Sequence, residues 1–144
     1  MTVTKMELMQ MSRAELDELY KNSPIGSMPV GDSQGTAVIA PGTRLAKVLA
    51  VFIRLFAWQG KVFSRQESYL LNKILPFQMH AVKAQVYKGN SWLDGKETLI
   101  LDYSKTSFIA QKIRDEIREV APGLYLGKVY WGSKRTPLDF ILEF

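Results

Sequence analysis

The run Ile113-Arg114-Asp115-Glu116-Ile117-Arg118-Glu119-Val120, followed by Ala121-Pro122-Gly123-Leu124-Tyr125-Leu126-Gly127-Lys128-Val129-Tyr130-Trp131, decides how this chain folds. Five charges of alternating sign stand in an apolar frame, and a turn and an aromatic-rich segment follow. Ile113, Ile117 and Val120 fit a helix. A strand instead puts Ile113, Asp115, Ile117 and Glu119 on one face and Arg114, Glu116, Arg118 and Val120 on the other. The preferred reading is a short helical turn over residues 107–112, then a strand. The Pro-Gly turn joins that strand to a second one over residues 124–131.

Working outward, the period-two pattern dominates the second half. Val82, Ala84 and Val86 alternate with Lys83, Gln85 and Tyr87, and Asp94-Gly95 is a hairpin signal between this strand and the returning strand at residues 97–103. Residues 138–144 form the last strand. The second half is therefore a run of about five strands with short connections, the mark of an antiparallel meander or barrel.

The first half begins with two capping boxes, Thr4-Lys5-Met6-Glu7 and Ser12-Arg13-Ala14-Glu15. They allow one longer helix or two short ones. Leu16, Leu19 and Tyr20 make its apolar stripe, and Asn22-Ser23-Pro24 ends it. Residues 22–35 read as loop and 36–40 as a short strand. Residues 44–58 read as a second helix, apolar nearly all round. Trp58-Gln59-Gly60-Lys61-Val62-Phe63 turns into a strand. Asn72, inside an apolar run, has the look of a buried amide.

The 144 residues fit one domain, helical over about 1–60 and β-rich over 61–144. A chain of this length buries roughly 70% of its unfolded surface and needs no staples. There is no cysteine, which removes disulfides and thiolate chemistry, and one histidine, His80, which is read as structural. No metal site and no cofactor are expected. The amino-terminal residues lack a signal-peptide run, and the expectation is a cytoplasmic protein. Arg44, Lys47, Arg54, Lys61 and Arg65 occur without an acidic residue among them and read as a solvated basic face. They do not interleave with aromatics as in an RNA-binding sheet, so nucleic-acid binding is not expected.

Two segments carry a resemblance. Trp58-Gln59-Gly60-Lys61-Val62-Phe63 resembles the Trp-x-Gly-Lys-x-Phe segment of uncharacterised bacterial proteins named for a Gly-x-Trp-x-Gly motif. Leu101-Asp102-Tyr103, residues 114–120 and Leu126-Gly127 resemble the domain that accompanies it. The Gly-x-Trp-x-Gly element itself is absent: residues 23–31 stand near its place without the tryptophan. The resemblance implies a small lipocalin-like β-barrel.

The fold expected is thus α+β and β-rich, an antiparallel lipocalin-like barrel with N-terminal helices packed on it or capping it. Its expected function is to bind an apolar small molecule with a polar head. Arg114, Glu116 and Arg118 would fix the head group, and Trp58, Trp92, Tyr103 and Tyr125 would line the apolar part. The first alternative is a cofactor-free cyclase or isomerase that uses Glu116, Asp102 and Tyr103 as acid–base groups. The second is an interaction module in which helix 44–58 meets a partner, a second copy in a homodimer or an anionic membrane surface. The narrow polar edge of that helix disfavours the membrane.

Overall fold

The computed structural model describes residues 2–39, 58–64, 68–74, 79–108 and 110–144. Among the described residues, two short helices, α1 (Lys5–Gln10) and α2 (Arg13–Lys21), precede nine strands: β1 (Gly31–Asp32), β2 (Gln34–Ile39), β3 (Trp58–Phe63), β4 (Tyr69–Ile74), β5 (Met79–Asn90), β6 (Glu97–Asp102), β7 (Ile113–Ala121), β8 (Leu124–Trp131) and β9 (Lys134–Glu143). Thr4 caps α1 with both halves of the capping box in place, whereas Ser12 caps α2 through its hydroxyl alone, accepting from Glu15 N. The helix expected over residues 44–58 lies outside the described residues, except that Trp58 opens β3.

All nine strands pair antiparallel in one sheet, in the order β1-β3-β4-β5-β6-β7-β8-β9-β2. The two ends of that order are neighbours in the chain, because only Ser33 separates β1 from β2. β1 pairs with β3 and β2 pairs with β9, so the edges meet and the sheet curls into a nearly closed barrel. Closure removes the exposed edges that invite aggregation. Ser33 makes the join. Its N–H and hydroxyl both donate to Lys61 O, at 3.0 and 2.6 Å, and its Oγ accepts from Lys61 N at 3.1 Å. Beyond Ser33, β2 stays with β9 and makes no ladder with β3, which leaves a seam in the wall.

Two apolar clusters follow from the two faces of the sheet. One is the lumen and draws on every strand from β3 to β9, including Phe63, Leu70, Val86, Leu101, Ile117 and Phe140. The other lies between the helices and the outer wall and joins Leu8, Leu16 and Tyr20 to Leu124, Leu126 and Ile141. The helices therefore pack on the outside of the barrel. Gly127 admits the Phe140 ring to the lumen, since a Cβ there would stand 2.2 Å from Phe140 Cζ.

The strand reading of residues 113–120 holds, and the turn at residues 122–123 joins β7 to β8 as expected. Three readings are corrected. β9 begins at Lys134, upstream of Pro137, because a register irregularity between Lys128 and Tyr130 accommodates the proline. The described residues of 107–112 are turns rather than helix. Residues 31–32 and 34–35, read as loop, belong to β1 and β2.

Candidate functional site: a buried polar cluster in the barrel

Four polar side chains meet inside the lumen: Lys61 (β3), Asn72 (β4), Tyr103 just after β6, and Asp115 (β7). Lys61 and Asn72 are register partners, as are Leu101 and Asp115. Each polar residue shares its strand face with apolar lumen neighbours: Lys61 with Phe63, Asn72 with Leu70, Tyr103 with Leu101, and Asp115 with Ile117.

The hydrogen bonds of this cluster can be followed donor by donor. Lys61 Nζ donates to Asn72 Oδ1 at 2.7 Å and to Tyr103 OH at 2.6 Å, and pairs with Asp115 Oδ2 at 3.3 Å. The Asn72 amide donates to Val82 O at 2.8 Å and to Tyr103 OH at 2.9 Å. Trp58 Nε1 donates to Asn72 Oδ1 at 3.0 Å. The Tyr103 hydroxyl donates onward to Asp115 Oδ2 at 3.4 Å. Lys61 is thereby held by two hydrogen bonds and an ion pair, and the Asn72 amide, the Trp58 indole and the Tyr103 hydroxyl each have acceptors. One atom of the cluster remains: Asp115 Oδ1 is buried and has no hydrogen-bond partner among the described residues.

Aromatic rings surround the ammonium. Lys61 Nζ lies 5.6, 5.3 and 5.2 Å from the ring centres of Trp58, Tyr103 and Phe140, within the range where ring faces attract a cation. Burial works against the Lys61 charge, but Tyr103 and Asp115 outweigh it and its pKa is raised. Burial pushes Asp115 up from the ordinary carboxylate value, opposed by Lys61. Burial likewise raises Tyr103.

The backbone is irregular beside the cluster. In β5, Leu71 pairs with Lys83 and Asn72 with Ala81, which leaves Val82 bulged out of the ladder at φ +56°. A β-branched residue there is strained, and such strain collects at functional sites. The Asn72 amide holds this bulge through Val82 O. A second irregularity, at Gly60 in β3, sits next to Lys61. Trp58, Val82, Ile113 and Leu138 are half-buried and pack against the lumen core, three of them at or near strand termini.

Trp58 also faces the seam. It lines a cleft of about 330 Å³ with Lys5, Gln34, Gly35, Gln59 and Lys73. A Cβ on Gly35 would stand 2.4 Å from Trp58 Cη2, so the indole fills the gap where β2 leaves β3. The indole thus separates this outer cleft from the polar cluster. A further cleft of about 340 Å³ lies under the helices, lined by Met11, Leu16, Val38 and Asp139 among others.

Of the side chains expected to bind a ligand, Trp58, Tyr103 and Tyr125 belong to the lumen. The Tyr125 hydroxyl donates to Ser27 O at 2.6 Å, at the opposite end from Trp58. Arg114, Glu116, Arg118 and Trp92 lie on the outer wall, and the inward charge on β7 is Asp115 instead. Arg118 spends all five N–H groups on Tyr20 O, Asp94, Lys96 O and Glu97 O. Glu116 accepts from Tyr20 OH, Ser91 Oγ, Trp92 N and Arg114. The Arg114 guanidinium stacks 3.9 Å from the ring centre of Trp92, which is half exposed. These bonds fasten α2 and the turn at residues 91–96 to the barrel.

The acid–base set is also divided. Asp102 accepts from Tyr87 OH and Ser104 N, away from Tyr103 and Glu116, so the three do not share a site. Lys61, assigned to a solvated basic face in the sequence, is buried. His80 lies opposite Lys73 in the β4–β5 ladder. Among the described residues, no group of three or more His, Asp or Glu could hold a metal ion, and no helix is long and apolar enough to cross a membrane.

The chain matches no protein-family profile and no curated protein. Its fold is similar to that in the crystal structure of a protein from Thermomonospora curvata, with a TM-score of 0.62 over 92% of this chain and 87% of that one, at 21% identity. The shared feature is the fold. The architecture is compatible with ligand binding, as closed small barrels are.

Proposed function

We propose that this protein is a lipocalin-like binder of an apolar small molecule with a polar head. The head group meets the Lys61–Asn72–Tyr103–Asp115 cluster, and the apolar part lies against Trp58, Val82, Ile113 and Leu138. The observation that carries this reading is the cluster itself. Four polar side chains at the centre of an apolar lumen cost desolvation, and burying them brings no stability that a hydrocarbon core would lack. The half-buried apolar residues beside them match the usual pocket, mostly apolar with a few placed polar groups. The seam filled by Trp58 offers a way in from the outer cleft.

Titration with the neutral apolar dye N-phenyl-1-naphthylamine tests the reading. Emission should rise and saturate at one dye per chain. Asp115→Asn should weaken binding about tenfold, the size of one lost hydrogen bond to a charged group. Arg114→Gln, on the outer wall, should leave it unchanged. Thermal melts establish that both variants are folded. Absence of saturable binding, or sensitivity to Arg114→Gln with indifference to Asp115→Asn, would contradict the proposal.

A further inference from the structure

Resting on that binding reading, we infer that the barrel selects a neutral hydroxyl head group, one that donates a hydrogen bond to Asp115 Oδ1, over a carboxylate or other anion.

The inference comes from what the cluster has left to offer. A carboxylate or phosphate head needs donors. Lys61 Nζ gives two hydrogen bonds and an ion pair inside the cluster, the Asn72 amide donates to Val82 O and Tyr103 OH, and the Trp58 indole N–H and the Tyr103 hydroxyl hydrogen already have acceptors there. To bind an anion, the site would have to break one of these bonds and leave a buried acceptor unmade. The free capacity is of the other kind, a lone pair on Asp115 Oδ1, buried and without a partner among the described residues.

Charge points the same way. Lys61 and Asp115 form a pair at 3.3 Å with side chains 4% and 5% exposed. Their charges cancel. An anionic head would bring an uncompensated negative charge beside the carboxylate, and an ammonium head an uncompensated positive one beside Lys61, both out of water. A hydroxyl adds no charge and supplies the missing donor.

Apolar and aromatic side chains border the cluster. The cluster is walled by Trp58, Tyr103 and Phe140, whose rings already face the ammonium. Trp58 and Phe140 meet edge to face at 5.8 Å, and Trp58 borders the outer cleft. An alkyl or aryl tail following a hydroxyl head through the seam would replace contacts of the indole with contacts of its own.

Three probes of one chain length separate the terms: 1-octanol, octanoate and octyl methyl ether. The ether keeps an oxygen and the tail but has no donor. Calorimetric or competition titrations of the full wild-type chain should place octanol about tenfold tighter than the ether, the worth of one hydrogen bond to an ionised carboxylate, and tighter than octanoate. An ether equal to the alcohol would overturn the role of Asp115 Oδ1. Octanoate equal to or tighter than octanol would overturn the selection against anions. In both cases binding itself would stand. If none of the three binds or displaces N-phenyl-1-naphthylamine, the binding reading falls, and this inference with it. The ranking uses the wild-type protein, so it does not depend on the folding of a variant.

Discussion

Replacing Lys61 by methionine would strand the Asp115 carboxylate in the lumen. Loss of one partner of a buried pair costs about 3–5 kcal/mol, because the remaining charge has no compensation. Lys61→Met should therefore lower the urea midpoint strongly. Lys61→Met combined with Asp115→Leu removes both charges and should recover most of that loss. The double variant should also lose hydroxyl-bearing probes, which would separate what the pair does for binding from what it does for stability. Equal destabilisation in the single and double variants would mean that the two charges are not coupled. Asn72 was recognisable as a buried amide from its apolar neighbours. The same parity argument applies to the other three. Asp115 lies between Ile113 and Ile117, Lys61 two residues before Phe63, and Tyr103 two after Leu101. A polar residue on the apolar parity of a strand marks the lumen. The triplet with the most charges, Arg114, Glu116 and Arg118, lies on the opposite parity, which carries no isoleucine.

At the scale of elements, that triplet is a fastening. Arg118 reaches Tyr20 O on α2, and bonds Asp94 and two backbone carbonyls, Lys96 O of the 91–96 turn and Glu97 O at the start of β6. Its side chain is 1% exposed, so these bonds are made out of water. Arg118→Met should cost roughly 3 kcal/mol in chemical denaturation, within the range for a broken buried pair. It should speed hydrogen exchange in α2 and in the 91–96 turn. Dye binding by the folded variant should be unchanged, because the arginine lies on the outer wall. Abolished dye binding in a folded Arg118→Met protein would return this residue to the ligand site. Helices α1 and α2 and most of the described strands were legible from capping residues, alternation and turn signals. The sequence pattern places the start of the last strand at residue 138, after Pro137, whereas β9 begins at Lys134. The register irregularity that tolerates the proline depends on β8 and is not local information.

Across the whole molecule, the acidic groups pull stability in opposite directions with pH. Asp17, against its own burial, is held at about 2 rather than 3.8 by Arg135 and Lys128, and the Arg118 hydrogen bond holds Asp94 at about 2. In the window from about pH 4 to 2 the unfolded chain binds protons that the folded one refuses, so this stability is present above pH 4 and lost on acidification. Asp115 acts with the reverse sign. Its folded pKa is raised by burial, so its contribution is full below the ordinary carboxylate range and falls as pH rises through the raised value. Asp17→Asn should flatten the acid limb of a stability profile, and Asp115→Asn the limb above it. A barrel was expected, but the residue that closes it was not legible. Closure depends on one residue, Ser33, at which the chain changes partner from β3 to β9, and no alternation pattern announces that step. The seam left there brings Trp58 between the outer cleft and the polar cluster, and the central claim can be read at that indole. The three tryptophans, Trp58, Trp92 and Trp131, report on the seam, the outer wall and the end of β8. In a ¹H–¹⁵N spectrum titrated with 1-octanol, the account predicts that the Trp58 indole resonance shifts and saturates while those of Trp92 and Trp131 stay in place. Movement of Trp92 or Trp131 with Trp58 unmoved would put the ligand outside the barrel and contradict the account.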